Sequence, residues 1–138
     1  MEKHLLLPSK KESLSKLELF LDSFFNEARL KRENFFNVLL SLSELVNNSI
    51  SHGNQYNEEK KVVISCSWLK DILTLTVEDE GSGFNLTDIK DPTLPENINH
   101  ETGRGLFLTS RLADNFDVKE KGRIIEIKFE VEREYQFF

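Results

Sequence analysis

The sequence predicts an α+β fold, a two-layer α/β sandwich with a mixed, mostly antiparallel sheet covered by helices on one face. Three observations carry that prediction. Two long segments repeat apolar residues at spacings of three and four, the period of a buried helix face. Two others, Val62–Trp68 and Ile72–Val77, are β-branched and alternate, as half-buried strands do. Read in order, the elements run β-α-α-β-β-loop-α-β-β, and helices of this kind bury their stripes by packing on a sheet.

Leu5–Leu7 is a short apolar run stopped by Pro8, and reads as an edge strand. From Ser9 to Leu30, Leu14, Leu17, Leu21, Phe24, Phe25 and Ala28 form a helical stripe, with Ser9 or Ser13 as the expected cap. A second helix spans about Arg32 to Ser51. Its apolar stripe is Phe35, Leu39, Leu42 and Val46, and its polar face is Asn37, Ser41, Glu44, Asn48 and Ser51 or His52. Gly53-Asn54 then reads as a helix C-terminus. Strands follow at Val62–Trp68 and Ile72–Val77, joined by a tight turn at Lys70-Asp71. Cys66 and Trp68, two apart, belong to one packing layer. The stretch from Asn85 to Thr102 is polar, contains Pro92 and Pro95, and has no period. Loops of that length inside a domain tend to be functional. Leu106–Ala113 reads as a short helix, and Phe116–Lys119 and Arg123–Val131 as two final strands joined at Lys121-Gly122.

The chain has 138 residues, one domain's worth. There is no repeat or low-complexity linker. With 18 basic and 24 acidic residues, the net charge is -6, which argues against direct nucleic-acid binding. A single cysteine, Cys66, excludes an internal disulfide and a cysteine metal cluster. No apolar run approaches the roughly 18 residues of a membrane span, and no signal peptide is visible, so a cytoplasmic protein without membrane contact is expected. Phenylalanine is in excess, 11 against 2 Tyr and 1 Trp. Adjacent pairs at Phe24-Phe25 and Phe35-Phe36 cannot both point one way on a helix, so one ring of each pair is expected on a second surface, and Phe137-Phe138 lies past the last strand.

Three short motifs can carry chemistry. Glu44 and Asn48 lie four apart on one helix face. A carboxylate there can act as a base on a hydroxyl, and an amide oxygen can help hold Mg²⁺, but a solvated helix face has the same look. Asp79-Glu80-Gly81-Ser82-Gly83 follows a strand end. Its aspartate can accept a hydrogen bond from an exocyclic amine, and its glycines admit a ligand close to the backbone; an acidic turn is the plain alternative. Gly103-Arg104-Gly105-Leu106 opens a helix. Free N–H groups, the helix dipole and Arg104 suit an anion, and a simple loop exit and cap suit it too.

Taken together and in this order, the motifs resemble those of the GHKL family of ATP-binding domains, shared by histidine kinases, the B subunit of DNA gyrase and the MutL repair protein. The resemblance covers roughly Leu14 to Val131. Glu44 to Gly53 looks like the N box, Asp79–Gly83 like the first glycine box, and Gly103 to Leu108 like the second. A short chain with a glutamate-first N box followed by His-Gly is similar to the anti-sigma-factor serine/threonine kinases of bacterial partner switching. That resemblance implies a Bergerat-type ATP-binding fold and the cofactors ATP and Mg²⁺. It implies a STAS-domain anti-anti-sigma protein as substrate, a sigma factor as a possible second partner, and a homodimer. It makes Glu44 the general base and Asn48 the Mg²⁺ ligand. Asp79 would hold the adenine amine, with Gly81 and Gly83 shaping the pocket. Gly103, Arg104, Gly105 and Leu106 would line the phosphates, under a lid at about 85–102. Two other functions stay open: a non-catalytic nucleotide-binding module that sequesters a partner, and a detached histidine-kinase catalytic domain. Family members commonly carry Gly-Thr before the last strand, whereas Gly122 here precedes Arg123.

Overall fold

Strand alternation builds the sheet. In the computed structural model, which describes residues 1–81 and 101–134 (101–104 by backbone alone), five strands line up in the order β1-β2-β3-β5-β4. They are β1 (Glu2–Pro8), β2 (Lys61–Leu69), β3 (Ile72–Glu78), β4 (Asn115–Lys119) and β5 (Ile124–Glu130). All four ladders are antiparallel, so the parallel component of a mixed sheet is absent among the described residues. The register sets Ile64 beside Val77 and Leu75 beside Ile127, which stacks the buried residues of each strand on one face. The β2–β3 turn is the expected one: Lys70 and Asp71 have φ of 50° and 65°, the twist that suits a two-residue hairpin.

Three helices supply the other layer: α1 (Ser15–Ala28), α2 (Phe35–Asn48) and α3 (Glu101–Leu112). Leu17, Leu21 and Phe24 of α1 and Leu42, Leu45 and Val46 of α2 are fully buried with the strand residues in one core. β1 is an edge strand, as Pro8 suggested.

The ends of the helices differ from expectation. The first begins as a 3₁₀ turn at Lys11–Leu14, and neither serine caps it. Both hydroxyls serve carbonyls at the strand ends instead: Ser9 donates to Lys60, just before β2, at 2.6 Å and Ser13 to Pro8 at 2.8 Å. Ser41, expected on the polar face of α2, is buried. The phenylalanine pairs divide. Phe36 is 71% exposed while Phe35 is packed, as the helical geometry requires. Phe24 and Phe25 are both buried, because α1 has two covered flanks. Phe25 meets Phe35 of α2 edge-on at 5.1 Å, and the Arg32 guanidinium lies 4.7 Å from the Phe35 ring. Cys66 is buried, and Trp68 is part-buried with its Nε1 donating to the Val131 carbonyl at 2.7 Å. Phe137 and Phe138 lie outside the described residues.

Candidate functional site

The last turn of α2 does not stop; it widens. Ser49–Gly53 form a π-helical turn, closed by the Asn54 N–H donating to the Ser49 carbonyl at 2.8 Å. Turns of this kind are frequent at functional sites because they redirect the chain without ending the helix. Here the turn drives Gly53 against the end of β3.

Asp79 sits there, 5% exposed. Its own N–H donates to the Arg123 carbonyl at 3.0 Å, and its Oδ1 accepts from the Gly81 N–H at 2.8 Å. Burial pushes its pKa up; the Gly81 N–H, the Ser49 hydroxyl and the Arg123 charge pull it back, while Glu78 adds to the rise. A β-carbon on Gly53 would overlap the Asp79 carboxyl, and one on Gly81 would overlap the Gly53 carbonyl. Gly53 is therefore a spacing residue rather than a left-handed helix stop. The chain reverses two residues later, at Gln55 and Tyr56, with φ of 51° and 56°.

Asn54 locks this arrangement. It is 1% exposed, its Nδ2 donates to Ser9 Oγ at 2.8 Å and Lys61 O at 3.1 Å, and its Oδ1 accepts from the Glu80 N–H at 2.8 Å. One side chain thus ties α2's end to β2 and to the turn after β3.

On the other side of the π turn a cleft of about 310 Å³ opens between α2 and α3. Glu44, Asn48, Gly105 and Leu106 line it, with Ser51, His52 and Tyr56 on the turn side. A β-carbon on Gly105 would lie 2.5 Å from Glu44 Oε2, so the absence of a side chain there lets the carboxylate sit against α3. Asn48 Oδ1 is buried with no hydrogen-bond partner among the described residues. An orphaned buried acceptor facing a polar cleft fits a cation held partly by the protein. The described residues gather no group of three or more His, Cys, Asp or Glu ligands.

The residues expected at the site thus fall into two places. Glu44, Asn48, Gly105 and Leu106 share the cleft, and Asp79 and Gly81 lie beyond the π turn. Gly103 and Arg104 do not precede the helix: α3 already begins at Glu101, which puts them in its first turn. The N–H groups of a helix's first turn have no partner within it. Gly83 and the lid residues 85–100 lie outside the described residues, while Glu101 and Thr102 belong to α3. At the departure from Gly-Thr, Gly122 has φ 91° and Arg123 donates to Glu78 Oε1 at 2.6 Å. Ser49 and Gly53 fell within the N-box segment and Gly53-Asn54 read as a helix C-terminus, with no role toward Asp79; a glycine after a helix reads as a terminator until its neighbour in the fold is known.

The sequence profile of the histidine kinase-like ATPase domain matches residues 7–129. The chain belongs to that family. Among its relatives are the anti-sigma F factor of Clostridium perfringens, 33% identical over 70% of this chain and 72% of that protein. The serine-protein kinase RsbW of Listeria monocytogenes is 29% identical over 83% of this chain and 76% of that protein. Its counterpart from Oceanobacillus iheyensis is 26% identical over 83% and 77%. In three dimensions the chain matches a Mycobacterium tuberculosis protein solved as its RsbU and RsbW domains, with a TM-score of 0.69 at 13% identity. That match covers all of this chain and 34% of the other, and it shows the histidine kinase-like fold. No helix among the described residues is long and apolar enough to cross a membrane.

Proposed function

We propose that this chain is an ATP-dependent protein serine/threonine kinase that acts as an anti-sigma factor and phosphorylates a STAS-domain anti-anti-sigma protein. The observation that carries the reading is the cleft pair: Glu44 exposed to the cleft, and Asn48 Oδ1 one turn later, buried and unpartnered among the described residues. Names of relatives at 26–33% identity support it.

In this reading Glu44 takes the proton from the acceptor hydroxyl, and Asn48 Oδ1 holds Mg²⁺. Asp79 accepts the adenine amine, with Gly53 and Gly81 letting the π turn pack against its carboxyl. The first-turn N–H groups of Gly103 and Arg104, with the Arg104 charge, meet the phosphates. Gly105 acts by making space for Glu44. Bound ATP and Mg²⁺ supply the phosphoryl group and neutralise charge on it; the protein's part is positioning and electrostatics. A homodimer in the cytoplasm, with a sigma factor as second partner, completes the proposal.

The test is phosphoryl transfer from Mg-ATP to purified STAS-domain proteins. Glu44→Gln is expected to slow transfer by about 10²- to 10⁴-fold while sparing nucleotide affinity. Full transfer by Glu44→Gln removes it as the base. Acid-labile phosphate on the acceptor would favour a detached histidine kinase, and a stable unphosphorylated complex would favour a sequestering module.

A further inference from the structure

Tyr56 is among the residues of the Glu44 cleft with no part in the roles above. Among the described cleft residues, Tyr56 carries the one benzene ring, and it is 55% exposed. Its backbone is not that of a slack loop. Gln55 and Tyr56 are consecutive left-handed residues, a conformation that bulky L side chains rarely adopt. They are held in it by short hydrogen bonds. The Tyr56 N–H donates to the Ile50 carbonyl at 2.8 Å, and the Asn57 N–H donates to the Asn54 carbonyl at 3.0 Å. Asn54 is itself buried and tied to Ser9, Lys61 and Glu80. Strained positions persist where their surroundings over-determine them, and they cluster at ligand clamps. Glycine would make this turn with less strain, yet the position holds a large ring at the mouth of the cleft.

The ring's place in the cleft says which ligand it meets. Asp79 and Gly81, which receive the base in the proposed function, are not on this wall; they lie beyond the π turn, under Gly53. Tyr56 lines the same cleft as Glu44, where the acceptor hydroxyl arrives. A half-exposed ring with only two rotatable side-chain bonds suits a protein surface laid across the cleft mouth.

We propose that Tyr56 is a specificity-determining contact for the protein acceptor, packing against the segment that presents its hydroxyl to Glu44. This inference rests on the kinase reading above.

The test uses the full chain, Mg-ATP and each STAS-domain protein encoded in the same genome. Tyr56→Ala is expected to raise the acceptor KM about tenfold, the loss of one aromatic contact, with the KM for ATP within about twofold. Tyr56→Phe keeps both constants within about twofold. Tyr56→Gly raises the acceptor KM as alanine does, with a Tm at or above that of the parent, since glycine accepts this φ. An unchanged acceptor KM in Tyr56→Ala overturns the proposal. So does a parallel rise in the KM for ATP, which would make Tyr56 part of the nucleotide wall. If the parent chain binds a STAS protein but transfers no phosphate, the kinase reading fails by itself. The contact is then read from affinity: about tenfold weaker binding by Tyr56→Ala supports it, and equal binding overturns it. Absence of any STAS complex overturns both.

Discussion

Gly105 of α3 touches the Glu44 carboxylate of α2 so closely that a β-carbon would stand 2.5 Å from Oε2. The group in the way is the end of a flexible side chain, so an added methyl moves Glu44 rather than the helices. Alanine is also the better helix former, by about 1 kcal/mol. Gly105→Ala is therefore expected to keep or raise the melting temperature while slowing phosphoryl transfer by about 10²-fold, the usual effect of misplacing a catalytic group by about an ångström. Thermal melts beside single-turnover rates check it; a variant with parental rates shows that the contact does not matter.

Asp79 links stability to pH. Its ordinary pKa is 3.8, and burial raises it in the folded chain. The folded state then holds the proton more tightly than the unfolded state. The stability this contributes is complete below pH 3.8 and is lost as pH rises through the folded value. Asp79→Asn does not titrate, so its stability relative to the parent should climb from about pH 3.8 upward and then level off. On the kinase reading, nucleotide affinity should fall about tenfold or more, because the amide offers one acceptor oxygen where the carboxyl offers two. Denaturant curves across pH, with calorimetry, measure both; a stability of Asp79→Asn relative to the parent that falls with rising pH contradicts the sign.

Removing Asn54 takes the side-chain partner from the Lys61 carbonyl and the Glu80 N–H, and one of two partners from the Ser9 hydroxyl, which still donates to Lys60. Each buried group left unpaired costs about 1–3 kcal/mol, less where water enters. Asn54→Ala should destabilise the chain by about 2–4 kcal/mol in urea unfolding, with Asp79's setting loosened in parallel. A loss under about 1 kcal/mol would show that water replaces the amide.

Cys66 is fully buried at the centre of β2, and desolvation pushes its thiol well above the ordinary range. As the single cysteine it reports on opening of the core. Alkylation at pH 8 should follow unfolding, and accelerate with denaturant along the unfolding curve. Rapid labelling of the native chain would place Cys66 in a locally opening region.

Much of the fold was legible because its periods are strong. The alternation in Val62–Trp68 and the stripe of Leu17, Leu21 and Phe24 each bury one face, and a single register satisfies both. The helix ends were not legible. Ser9 and Ser13 have the chemistry of caps, but carbonyls of the strand and its neighbour compete for their hydroxyls and win. Likewise Phe24-Phe25 reads as one inward and one outward ring until α2 covers the second flank.

Of the site, Glu44 and Asn48 could be paired from sequence because four residues make one helical turn. The motif glycines could be located but not explained. Gly53 serves the Asp79 carboxyl 26 residues away, as Gly105 serves Glu44 across the helix pair, and steric room of that kind exists only between elements distant in sequence. Local periodicity determined which elements form and which residues face inward. Tertiary packing alone decided that Asp79 packs under Gly53 while Glu44 lines a separate cleft, because the π turn between them takes its place from the groups that Asn54 ties together.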